Sequence, residues 1–108
     1  MATGRLGAAN ITTTADTSIY TVPANTFSVL TVSVCNRGAA SASVRIAVST
    51  SGSPSLTDYL EYDTVLSAKG VLERTGIVLD AGKQLVVTTS TGSASLSVVA
   101  MGIETSTV

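Results

Sequence analysis

The densest run of side chains able to do chemistry is Asp58-Tyr59-Leu60-Glu61-Tyr62-Asp63, with three carboxylates and two phenols in six residues. Carboxylate oxygens are the donors that Ca²⁺ prefers, and a calcium loop spaces Asp or Asn at alternate positions around a glycine turn. That glycine and that spacing are missing here. In an extended strand, Asp58, Leu60 and Tyr62 would point to one side and Tyr59, Glu61 and Asp63 to the other, splitting the carboxylates between two faces. No metal site is therefore expected. The paired tyrosines are read as cover for a sheet or as contact residues in an interface, where an amphipathic ring suits a half-wet position.

The other candidates for catalysis are thin. The chain has no histidine, which removes the commonest general base and metal ligand and the middle member of a Ser-His-Asp or Cys-His array. Cys35, the one cysteine, ends an apolar strand without an imidazole to activate it, and reads as an inert thiol. Gly76 to Gln84 has the outline of a phosphate loop, but one residue too many separates Gly76 from Gly82, and Gln84 stands where Ser or Thr is needed. Glu73 and Arg74 are adjacent in a strand, so their charges face opposite sides. Either they join rim ion pairs or one of them bridges to another subunit. No catalytic residue and no cofactor is expected, and the function is expected to be non-enzymatic.

These side chains must be positioned by strands. Apolar and polar residues alternate at period two through Leu30, Val32 and Val34, through Val44, Ile46 and Val48, and through Leu96, Val98 and Ala100. Gly-bearing turns separate such runs, as in Asn36-Arg37-Gly38, Ala68-Lys69-Gly70 and Asp80-Ala81-Gly82. Expected strands are 18–22, 27–36, 43–49, 59–64, 71–79, 84–90 and 94–104. The fold class is all-β: a single β-sandwich, Ig-like or jelly-roll, of about seven to eight antiparallel strands. The sandwich domain is assigned to 18–108. Residues 1–17, rich in Gly, Ala and Thr, form an N-terminal arm or an added edge strand. With little apolar surface of its own, that arm is expected to order on a neighbour's sheet edge.

Charge is sparse, at 12% of 108 residues with a formal net charge of -1. Neither nucleic acid nor an anionic membrane is an expected partner. The longest nearly unbroken apolar run, Val98 to Ile103, is far shorter than the roughly 20 residues of a spanning helix. The first ten residues lack an apolar secretory core. A lone cysteine fits folding in a reducing cytoplasm.

An ordered series of segments resembles a group of small virion structural proteins of tailed bacteriophages, including those of marine hosts. It runs through Tyr20 to Thr26, Val32 to Gly38, Val44 to Ser49, Asp58 to Thr64, Gly70 to Leu79 and Ala81-Gly82. The resemblance implies a β-sandwich that is made in the host cytoplasm and resides in the virion. Such proteins serve as capsid decoration (cement) proteins or as neck, tail or fibre components. A short chain without fibrous repeats or coiled-coil heptads leans toward decoration. The expected partners are the major capsid protein or neighbouring virion proteins, with homo-oligomerisation. Candidate interface residues are Tyr59, Glu61, Tyr62, Asp63, Glu73, Arg74, Arg37 and Arg45. The alternative is a receptor- or carbohydrate-binding sandwich of a tail, neck or fibre, with Tyr59 and Tyr62 as the sugar platform beside Asp58 or Asp63.

Overall fold

The computed structural model describes residues 2–108. Eight strands follow one another without a helix among the described residues: β1 (Thr3–Ile11), β2 (Thr17–Thr21), β3 (Thr26–Asn36), β4 (Ala42–Ser49), β5 (Tyr59–Leu66), β6 (Val71–Leu79), β7 (Gln84–Thr88) and β8 (Leu96–Ser106). They form two four-stranded antiparallel sheets. The first sheet has the order β1-β8-β3-β6 and the second β2-β7-β4-β5. Only β4 and β5 are consecutive strands of one sheet; every other connection passes from one sheet to the other. This is the strand order of the eight-stranded jelly roll.

The core follows from the period-two pattern. Leu30, Val32, Val34, Leu96, Val98 and Leu79 of the first sheet meet Val44, Ile46, Leu85 and Val87 of the second, all essentially buried. Each such side chain contributes about 1.5–3 kcal/mol relative to remaining exposed. Asn36, where β3 ends, is also buried, and its amide holds the carbonyls of Ala40, Leu66 and Ser67 while accepting from the Gly38 N–H. Among the described residues no buried side-chain polar atom lacks a partner.

The N-terminal segment corrects one expectation. Thr3–Ile11 pair with β8 of the same chain, from Thr3↔Ile103 to Ile11↔Leu96, and are not free for a neighbour. The segment has more to bury than its composition suggests, because Ile11 joins the core at 2% exposure and Leu6 and Ala9 pack against it. Gly7 brings β1 against β2: a Cβ there would lie 2.2 Å from the Ile19 carbonyl oxygen.

The two inner pairings, β3 with β8 and β4 with β7, run in unbroken register. Every pairing that includes an edge strand is interrupted, and the extra residue always sits on the edge strand: once each in β1, β2 and β6, and twice in β5. A bulge twists an edge away from regular ladder geometry and so blunts it against pairing with another chain.

Candidate interaction site

The two bulges of β5 overturn the simple alternation expected for 58–63. Opposite Val44 and Ile46 stand Thr64 and Glu61, and opposite Ala47 stands Tyr59, so each bulge shifts the side-chain phase by one residue. Asp63 takes a left-handed φ of 56° to make the turn. Tyr59 and Tyr62 consequently meet on one face, with ring centroids 4.9 Å apart in an edge-to-face arrangement. The bulge was not readable from composition, since an aspartate, although enriched at positive φ, occurs far more often in other conformations.

Arg45 on β4 completes the cluster. Its guanidinium lies 4.2 Å from the Tyr62 ring centroid and donates to both oxygens of Asp63, Nε at 2.6 Å and NH2 at 3.0 Å. The Asp63 carboxyl is held below the usual carboxylate range, chiefly by that bond to Arg45. Tyr59 has its phenol pushed up by burial. Tyr62 remains 52% exposed, so the cluster presents a ring whose orientation is fixed from beneath. Ala47 and Val86, paired neighbours on β4 and β7, lie outside the central core yet are 0% and 1% exposed. They occupy the outer face of the second sheet beside Tyr59, so the middle of this face is covered by the chain itself, while Val65 at its β5 edge stays 73% exposed. The loop after β1 adds to the cover, with the Thr88 hydroxyl bonded to the Thr14 and Ala15 carbonyls.

The remaining candidates disperse. Glu61 and Arg74 meet at 2.5 Å between edge strands β5 and β6, tying the two sheets together, and Thr64 donates to the other Glu61 oxygen at 2.7 Å. Glu61 is lowered first by Thr64 and then by Arg74. The Arg74 charge is thus answered within the chain, the rim ion pair of the two alternatives, and not by a bridge to another subunit. Glu73 is exposed and joins no ion pair among the described residues. Arg37 lies past the end of β3, bonded to the Asn10 side chain. As a sugar platform the cluster is already engaged: Arg45 holds Asp63 and covers Tyr62, and Asp58 accepts from the Ser55 N–H at 2.9 Å.

Three features escaped the sequence reading. Tyr20 on β2 donates to Glu104 of β8 at 2.5 Å, and its hydroxyl lies 2.6 Å from that of buried Ser28, closing the sandwich at its other margin. Burial, helped by Glu104, pushes the Tyr20 phenol up to about 12. Arg5 stands on the first sheet beside Met101. The third is the outer face of that sheet, where Val29, Val78, Met101 and Ile103 are exposed. Its signal was the run Val98 to Ile103, apolar at both parities, which in an antiparallel strand marks two faces seeking cover.

An open cleft of about 390 Å³ at one end of the sandwich is lined by the loops 38–42 and 91–95, which contribute only Gly, Ala, Ser and Thr. No group of three or more metal-ligating side chains gathers among the described residues. Comparison of the chain with protein-family models, with curated proteins and with solved structures finds no match.

Proposed function

We propose that this protein is a structural component of a bacteriophage virion, a decoration protein that binds the assembled major capsid protein and stabilises the shell. The observation that carries this reading is the Tyr62 cluster. An exposed ring held rigid by Arg45, Asp63 and Tyr59 has the composition of an interface hot spot, where Tyr and Arg dominate binding and preorganisation lowers the entropy of docking. Two further features agree with it. Eight-stranded jelly rolls recur in viral capsid domains, an analogy of fold that sets a prior without assigning a role. Ser and Thr supply 32 of 108 residues against 13 charged ones, a neutral, hydroxyl-rich surface that many copies can share without strong repulsion.

A ligand that binds only the assembled shell stabilises it by mass action. The reading is tested by counting copies of the chain in purified particles by quantitative mass spectrometry. Hundreds of copies per particle support decoration, whereas a handful moves the chain to a tail, neck or fibre. Tyr62→Ala is expected to lower occupancy by about tenfold or more, as loss of a hot-spot ring does. Lys83→Ala, at a turn where the lysine ammonium pairs with Asp80, is expected to leave occupancy unchanged. Equal losses from the two variants would remove the Tyr62 cluster from the contact.

A further inference from the structure

The outer face of the first sheet differs in kind from the Tyr62 cluster. Ile103, Val29 and Val78 are aligned across β8, β3 and β6 in a single cross-strand row, at 50%, 37% and 65% exposure, with Met101 beside them at 37%. Two rows further along β3, Ser33 is flanked by Val99 and Glu73. A contiguous exposed apolar patch of this kind marks a contact surface.

The charges of the face indicate what covers it. The four strands carry four charged residues, of which Arg74 and Glu104 bond to residues of the second sheet. The two that remain, Arg5 and Glu73, are exposed, opposite in sign and on opposite edge strands, β1 and β6, with no ion-pair partner among the described residues. Consider a second copy laid face to face about a twofold axis that runs along the strands between β3 and β8. It sets β1 over the partner's β6, and the reverse. Arg5, in the Met101–Thr31 row, then lies one row from the partner subunit's Glu73, which is in the Ser33 row. That offset is about 7 Å along the strand, within reach of an arginine side chain. Twofold symmetry makes the contact twice. Backbone pairing between copies is hindered, because all four edge strands are bulged.

We propose that the outer face of the first sheet is a self-association surface, buried between two copies about a twofold axis, with Arg5 and Glu73 as reciprocal charge pairs. The proposal concerns how copies of the chain meet and stands apart from the virion reading, since it is measured on the purified chain alone.

Sedimentation velocity of the full chain at low ionic strength, from micromolar to near-millimolar concentration, tests it. A monomer–dimer equilibrium is expected. Arg5→Glu and Glu73→Arg should each weaken dimerisation by about tenfold, the effect of turning two rim attractions into repulsions. The double variant should return to within about threefold of the parent, because the pairing is restored with its signs exchanged. Ile103→Ser, at an exposed position, should abolish the dimer while the melting temperature of the monomer holds. A monomer at every concentration, single swaps without effect, a double swap that fails to restore the dimer, or an Ile103→Ser protein that dimerises normally overturns the proposal.

Discussion

The two outer faces of this sandwich are both built from β-strands, yet the middle of one is covered by its own chain and the other is bare. On the second sheet, the bulges of β5 turn Tyr59 and Tyr62 onto the face, Arg45 locks over Tyr62, and Ala47 and Val86 are left essentially inaccessible. On the first sheet, Val29, Val78, Met101 and Ile103 stand open with only Arg5 and Glu73 for charge. A sheet face can be satisfied by its own chain or by another chain; the second sheet's face is largely covered by its own chain, and the first sheet's is left open, as the proposed dimer requires.

The largest expected effect is on the closed face. Val86→Asp places a charge where no solvent reaches, and should lower stability by about 3–5 kcal/mol, the cost of an uncompensated buried charge. The matching change on the bare face, Val78→Asp, should stay within about 0.5 kcal/mol, as surface substitutions do. Urea titrations of both variants give the comparison directly. Similar losses in the two would mean that the faces are equally covered.

A smaller effect sharpens the same contrast. Arg45→Ala removes the cation from the Tyr62 ring and the partner from Asp63, and should lower the melting temperature slightly. Arg5→Ala should leave the melting temperature of the monomer unchanged. If Arg45→Ala is equally silent, the cover does not depend on its arginine.

The pH response tests the ties between the strands. Asp63 and Glu61 have folded pKa values below their ordinary ones, held down by Arg45 and by Thr64 and Arg74 respectively. Their contribution is fully present above the unfolded carboxylate range and is lost as pH falls through the lowered folded values. Tyr20 behaves in the opposite sense. Its contribution is fully present below 10, the ordinary phenol value, and is lost as pH rises toward about 12. Stability followed against pH should therefore fall at both ends, and Tyr20→Phe should flatten the alkaline limb.

Much of the architecture is legible in the residues, because the period-two pattern of Leu30 to Val34, Val44 to Ile46 and Leu96 to Ala100 states which side is buried. The β1 strand is less so. Its Gly- and Ala-rich stretch looks too poor in apolar surface to belong, and its place depends on Ile11 and on the contact that Gly7 permits. The Tyr62 cluster was half legible: the residue types were evident, but their facing was not. A bulge changes side-chain phase without leaving a mark in the sequence, and at Asp63 it uses a residue that is enriched at positive φ but far more often adopts other conformations. The bare face was written in the double parity of Val98 to Ile103: the run is too short for a spanning helix, and its two-sided apolar pattern marks a strand whose second face also seeks cover.

Cys35 supplies the most direct test of whether the bare face is a contact surface. The chain's only cysteine lies on that face, half-buried between Ser97 of β8 and Val71 of β6. Its labelling rate with a thiol reagent can be followed on the unaltered chain as protein concentration rises. The rate should fall in step with the dimer seen by sedimentation, and should stay constant for Ile103→Ser. A labelling rate that does not change while dimers form would put the contact on another surface and contradict the account.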